Sequence, residues 1–89
     1  MNRFPLGRMV ATPGALSLLT ANNIGPLQLL DRHVAGDWGE LDKADQQANE
    51  DALLNEGRLL SRYMVGQEPV WVITEWDRSV TTILLPQEY

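Results

Sequence analysis

The C-terminal third of the chain contains the feature that most limits its fold. Residues 70–76 (Val-Trp-Val-Ile-Thr-Glu-Trp) and 80–85 (Val-Thr-Thr-Ile-Leu-Leu) are rich in β-branched and aromatic residues, and only three polar residues separate them. This pattern predicts the two strands of a hairpin. Because an apolar hairpin is not stable alone in water, the helix-prone residues before it must fold across one of its faces. We therefore expect a small α+β protein.

The 89 residues are enough for one domain, 1–89, in which we expect residues 1–7 to form a loose N-terminal arm. Capping and proline signals predict three helices: from Pro13 to Ala21, from Pro26 onward and from Lys43 to Glu56. We expect Thr12 and Asp42 to be N-caps, and Gly57 to take the left-handed position after the third helix. Residues 8–11 are expected to be a short strand or an extended arm. Residues 58–65 add a third strand before the hairpin. Because the turns between these three strands are too short for a crossover connection, we expect a three-stranded antiparallel meander.

The predicted strands carry apolar residues on both of their faces, for example Val72 and Ile73. A half-exposed antiparallel strand alternates more cleanly than this. Either the helices cover both faces, or one face stays apolar and contacts another molecule. Three short helices can hardly cover both, which favours self-association or a protein partner.

Charge and composition exclude several classes of function. The net charge is −5, and residues 31–56 alone hold eight acids against two cations. Such a region repels nucleic acid and membranes and favours a basic protein partner, although a solvated helix surface would look the same. The chain has no cysteine, which excludes disulfides and thiolate zinc sites. No apolar run reaches the roughly 18 residues of a membrane span, and we expect a cytoplasmic protein without membrane or direct nucleic-acid contacts.

The residues give little support to catalysis. His33 is the single histidine, and with Asp37 and Glu40 nearby it could bind a metal or act as a base, but one imidazole with mobile surface acids more often packs near a helix end. Ser61 and the other serines lack a glycine-flanked nucleophile elbow. We therefore expect no enzyme, no catalytic residue, no metal and no cofactor.

Two aromatic positions and one turn complete the candidate contact surface. Trp38 is either a plug that fixes its loop to the core or an interface anchor, and Trp76 beside the hairpin turn is expected to be exposed. Asp77 and Arg78 either hold the turn together or form a recognition tip. The candidate partner-binding residues are Asp37, Trp38, Glu40, Asp45, Glu50, Asp51, Trp76, Asp77 and Arg78.

Several sequence blocks carry a resemblance to a known family. They are residues 33–41 (His-Val-Ala-Gly-Asp-Trp-Gly-Glu-Leu), 48–49 (Ala-Asn), 57–61 (Gly-Arg-Leu-Leu-Ser), 71–75 and 77–86. They resemble small proteins of plasmids, phages and integrated mobile elements, and the resemblance covers nearly the whole chain from Leu6. Some members carry the label of a type I restriction methylase subunit, but this chain has neither the length nor the glycine-rich loop of a methylase. The resemblance implies a non-enzymatic inhibitor of a host defence such as CRISPR–Cas or restriction, docking on a basic effector surface through the acidic face. The alternative is a dimeric structural or regulatory accessory protein of the element.

Overall fold

A computed structural model describes residues 2–89 as three helices and a four-stranded mixed sheet. The elements, in chain order, are β1 (Arg8–Ala11), α1 (Pro13–Ala21), α2 (Pro26–Val34), α3 (Lys43–Asn55), β2 (Leu59–Val65), β3 (Glu68–Thr74), β4 (Val80–Leu84) and a 3-10 turn (Pro86–Glu88). The α+β class with helices before the meander is confirmed. Within these residues, no helix has the length and apolar composition needed to cross a membrane.

The predicted three-stranded antiparallel sheet is wrong in one respect, because β1 joins it as a fourth strand. The strand order is β1-β4-β3-β2, and β1 pairs parallel to β4 from Arg8↔Val80 to Ala11↔Ile83. Parallel strands require a long crossover connection. The three helices and the first two strands of the meander, all between β1 and β4, provide it.

Local capping explains where the helices begin. The Thr12 hydroxyl accepts a hydrogen bond from the Ala15 N–H at 3.1 Å, and the Asp42 carboxylate accepts one from the Asp45 N–H at 2.8 Å, as predicted. The predicted C-cap is wrong, because Glu56, with φ 56°, takes the left-handed conformation instead of Gly57. Gly57 is needed for a different reason: a Cβ at this position would lie 2.9 Å from the Ala52 side chain.

All three helices cover the same face of the sheet, here called the inner face. The larger of two apolar clusters joins α1 and α2 to β2, β3 and β4; its members include Leu19, Leu30, Val72 and Ile83. Helix α3 buries Asn49 and Ala52, whereas its alanines at 44 and 48 are exposed. Within residues 2–89, no α-helix covers the opposite, outer face of the sheet, although Ile73 and Leu84 of this face are buried and Tyr89 packs on Trp71.

The segment predicted to be a loose N-terminal arm is packed into the smaller cluster. Phe4 is 7% exposed, and its ring lies 5.2 Å from that of His33 and 6.2 Å from that of Trp38. The Arg3 backbone N–H donates to the Val34 carbonyl oxygen at 2.8 Å. An aromatic side chain of this size contributes enough apolar area to order the short segment that carries it.

The outer edge of β2 is closed by side-chain and loop contacts. The Asn49 amide donates to the Leu60 carbonyl oxygen at 2.7 Å and accepts from the Leu60 N–H at 3.0 Å. Two residues along, Arg62 exchanges backbone hydrogen bonds with Trp38 and Glu40. Gly39, with φ 73°, permits this approach, because a Cβ there would collide with the Arg62 carbonyl oxygen. These contacts leave little of the edge open to another strand.

Candidate functional site

The single histidine lies inside the fold, in a chain of buried hydrogen bonds. His33 is fully buried; its Nδ1 lies 2.6 Å from the Ser61 hydroxyl and its Nε2 lies 2.9 Å from the Thr74 hydroxyl. Thr74 is hydrogen-bonded to Thr81 at 2.7 Å, and Thr81 donates to the Leu6 carbonyl oxygen at 2.7 Å. In the described chain, every buried side-chain nitrogen and oxygen has a hydrogen-bond partner.

The direction of these bonds assigns the histidine tautomer. Thr81 uses its hydrogen on Leu6, so Thr74 must donate to Thr81 and accept from His33 Nε2–H. Nδ1 then accepts from the Ser61 hydroxyl. Burial, together with the positive charge of Arg78, lowers the pKa of His33 to about 4. His33 and Ser61 therefore form part of a closed network of buried hydrogen bonds, with no exposed surface on either residue.

Two of the predicted contact acids are engaged in structural pairs. Asp37 pairs with Arg32 at 2.7 Å and also accepts from the Gly39 N–H, and the hydrogen bond from Arg32 lowers the pKa of Asp37. Glu50 pairs with Arg3 at 2.7 Å and accepts from the Trp38 indole at 3.2 Å. Both bonds, that of Arg3 first, lower the pKa of Glu50.

Trp38 is only 5% exposed, so its side chain fixes the loop to the core and does not form an anchor on the surface. Its backbone joins β2, and its ring packs on Phe4 and His33. The remaining predicted acids, Glu40, Asp45 and Asp51, have exposed side chains. In α3, Asp45 and Asp51 therefore present carboxylates to solvent.

A cleft of about 380 Å³ lies beyond the C-terminal end of α3, and Trp76 lines it with 62% of its surface exposed. Two carboxylates, of Glu56 and Asp77, and two guanidinium groups, of Arg3 and Arg78, line the same cleft, so its formal charges balance. Both arginines are engaged within the chain, Arg3 by Glu50 and Arg78 by backbone carbonyl oxygens. The Asp77 side chain also accepts from the Ser79 N–H at 3.1 Å, which holds the hairpin turn. The predicted exposure of Trp76 is confirmed.

The Arg78 side chain connects the hairpin turn to α3 by hydrogen bonds. Its Nη1 donates to the carbonyl oxygens of Gly57, Glu75 and Trp76, and its Nη2 donates to that of Ala52 at 3.2 Å. Arg78 has φ 60°, so it and Glu56 are two left-handed residues, neither of them glycine or asparagine, in one cleft. Left-handed conformations of such residues are costly and cluster at functional sites.

Sequence reasoning missed a second surface, on the outer face of the sheet. Arg58, Trp71 and Tyr89 surround an apolar pocket of about 230 Å³ whose remaining lining residues are Leu60 and Ile73. The alternation of β2 could have indicated part of it, because Arg58, Leu60 and Arg62 are spaced two residues apart and share a face. Nothing local indicates that Tyr89 returns to lie 5.7 Å from Trp71.

No family model, curated protein or solved structure matches this chain. Among residues 2–89, no group of three or more histidine or acidic side chains is placed to hold a metal ion. The fold and its surfaces define a small α+β protein with two separate exposed surfaces: an acidic one along α3 that ends at the Trp76 cleft, and an arginine-rich one on the outer face of the sheet.

Proposed function

We propose that this chain is a non-enzymatic protein-binding module that docks on a basic surface of its partner. The docking surface comprises Asp45 and Asp51 of α3 and the cleft lined by Trp76, Glu56 and Asp77. The observation that carries the proposal is the exposure of Trp76, which is 62% exposed beside the carboxylates of Glu56 and Asp77.

We expect this surface to favour a cationic partner, because the two arginines of the cleft, Arg3 and Arg78, are engaged by Glu50 and by backbone carbonyl oxygens. An exposed tryptophan face attracts guanidinium and ammonium groups, and neighbouring carboxylates pair with the same groups. Tryptophan is also one of the residues that most often dominate binding energy at interfaces. An arginine or lysine side chain entering the cleft would satisfy both kinds of contact at once.

The resemblance to mobile-element proteins indicates which class of partner should be tested first. Defence nucleases that bind nucleic acid have basic channels, and an acidic cytoplasmic protein could occupy such a channel. The proposed task is therefore inhibition of a CRISPR–Cas or restriction effector. Glu50 is no longer part of the docking surface, because its carboxylate is engaged by Arg3 and Trp38.

The proposal is tested with a panel of purified CRISPR effector complexes and type I restriction enzymes, whose binding kinetics are measured by interferometry. We expect the double variant Asp45→Lys/Asp51→Lys to slow association, and Trp76→Ala to weaken affinity by about tenfold or more, which corresponds to about 1.4 kcal/mol. The double variant Asp31→Lys/Glu68→Lys is a control with the same net charge, since both side chains are exposed and outside the proposed surface. Equal effects of both double variants would refute the docking surface, and binding to no effector would refute the defence role.

A second candidate is a dimeric structural or regulatory accessory protein of a mobile element. The absence of helical cover from the outer face of the sheet favours it. Sedimentation equilibrium distinguishes the two, because a homodimer with no effector partner supports the second candidate and a monomer that binds an effector supports the first.

A further inference from the structure

The outer face of the sheet gathers arginines that are far apart in the sequence. The strand registers place Arg8 beside Val80 and Arg62 beside Trp71, and Arg58 lies at the same end of the sheet as Glu75. Arg58 pairs with Glu75 at 3.4 Å. In the part of the chain that the structure describes, Arg8 and Arg62 have no ion-pair partner. The face therefore has an excess of positive charge, although the chain as a whole has a net charge of −5.

The centre of this face is apolar and contains a pocket. Leu60 and Ile73 are cross-strand neighbours and line it, and Trp71 and Tyr89 stand around it with their rings 5.7 Å apart at 69°. Its volume of about 230 Å³ lies below the ~300 Å³ at which small-molecule sites begin. One aromatic or large aliphatic side chain is therefore the best-fitting occupant.

The area of the face is small for a stable homodimer that uses this face alone. The four strands, of 4, 7, 7 and 5 residues, at about 3.3 Å per residue and about 4.8 Å apart, give a flat outline of roughly 360 Å². Stable interfaces bury about 800 Å² on each partner. A short segment of another protein suits this area better than a second copy does.

The charge of the outer face indicates whether the bound segment is acidic or basic. The exposed acids of α3, Asp45 and Asp51, are not among the residues that line the outer-face pocket, and salt largely screens exposed charges beyond the ~8 Å Debye length. They therefore oppose an anion on the outer face only weakly. A nucleic acid would need more cations than the three arginines of this face, because a protein that binds DNA through its phosphates makes on the order of 6–10 such contacts. Tryptophan, tyrosine, arginine and methionine are the residues enriched at protein interfaces. The outer face carries all four, with Met64 as its exposed methionine.

We propose that the outer face of the sheet binds a short acidic segment of a partner protein, with one aromatic or large aliphatic side chain in the pocket between Trp71 and Tyr89 and carboxylates on Arg62 and Arg58. Arg58 is held beside the pocket by the Tyr89 hydroxyl and by Glu75, so it presents a pre-oriented guanidinium. The chain then has two faces of opposite specificity: an acidic face on α3 and a basic aromatic face on the sheet. This binding site does not depend on the docking surface proposed for α3, and either can fail alone.

The test is a titration of the 15N-labelled protein followed by amide and indole chemical shifts. The probes are a twelve-residue peptide of glutamate and serine with one central tryptophan, the same peptide with lysine in place of glutamate, and a twelve-nucleotide oligouridylate RNA. We expect the acidic peptide to shift amides of β2 and β3 and the Trp71 indole N–H, and to bind at least about tenfold more tightly than the lysine peptide, a difference of about 1.4 kcal/mol.

Variants assign the shifts to the pocket and the arginines. We expect Arg62→Glu and Tyr89→Ala to reduce affinity for the acidic peptide at least about fivefold each. Tyr89 is 66% exposed, so its truncation leaves the core intact, whereas Trp71→Ala could disturb folding. Lys43→Glu is the control with the same charge change, because Lys43 is exposed on α3.

Four results would overturn the proposal. They are no shift at millimolar acidic peptide, equal affinity for both peptides, tighter binding of the RNA, and a homodimer in sedimentation that buries the outer face.

Discussion

Lowering the pH from 7 to 5 should destabilise this protein through one residue, His33. An unfolded histidine titrates near 6.5, whereas burial places the folded pKa at about 4. Between these values the unfolded state binds one proton more than the folded state, so the free energy of unfolding falls as the pH falls. At about 1.36 kcal/mol per pH unit, and allowing for partial titration near pH 7, the loss is about 2 kcal/mol by pH 5 and about 3 kcal/mol by pH 4.

Other groups contribute mainly outside this window. The folded pKa values of Asp37 and Glu50 are lowered by their arginine partners, so the stability they contribute is present above the unfolded carboxyl pKa, near 4, and is lost below it. Because the chain has a single histidine, the slope between pH 7 and 5 reports on His33. A loss of about 2 kcal/mol is a large part of the 5–15 kcal/mol that stabilises a typical domain.

Urea unfolding at pH 7, 6 and 5, followed by tryptophan fluorescence, measures this slope. The matched variant is His33→Gln, whose amide can still donate to Thr74 but does not titrate; it should be less stable at pH 7 and nearly independent of pH down to 5. An imidazole titration by NMR checks the pKa of the folded protein directly. Unchanged wild-type stability between pH 7 and 5, or a folded pKa near 6.5, would refute the closed hydrogen-bond network.

Three further predictions concern stability measured by chemical or thermal unfolding. Phe4→Ala should cost about 3 to 5 kcal/mol because it removes a buried ring from the smaller cluster, and a shift in unfolding midpoint within error would mean that the N-terminal segment is not packed. Asn49→Ala should cost about 1 to 3 kcal/mol, since it leaves the N–H and the carbonyl of Leu60 without partners; retention of full stability would show that water replaces the amide. Glu56→Gly should add about 1 kcal/mol by relieving a left-handed non-glycine residue, and a loss of stability would indicate an unrecognised favourable contact of Glu56.

The sequence predicts those parts of this fold that depend on near neighbours. Helix starts follow from Thr12 and Asp42, whose side chains bond amides three residues ahead. The hairpin turn and its strands follow from composition and spacing within about fifteen residues. These signals are local, so no tertiary contact has to be known to recognise them.

The remainder depends on contacts between distant residues. Phe4 lies among proline, glycine and arginine, a setting typical of a loose arm, and only its distance to the ring of His33 in the folded chain shows that it is core. His33 has hydrogen-bond partners 28 and 41 residues away, so its surroundings could not be read from Asp37 and Glu40 beside it. The pairing of β1 with β4 joins residues 72 apart, and no property of residues 8–11 indicates a parallel partner.

Charge is the property for which the linear sequence is most misleading. The arginines appear scattered along the chain and the total is negative, which argues against any anionic partner. Folding redistributes the signs: Asp45 and Asp51 are exposed on α3, whereas Arg58 and Arg62 lie at one edge of the outer face of the sheet and Arg8 at the other. Since screening limits each field to about 8 Å at physiological salt, a partner responds to the face it touches and not to the net charge. Both proposed contacts should therefore weaken with added salt, even though one partner is basic and the other acidic.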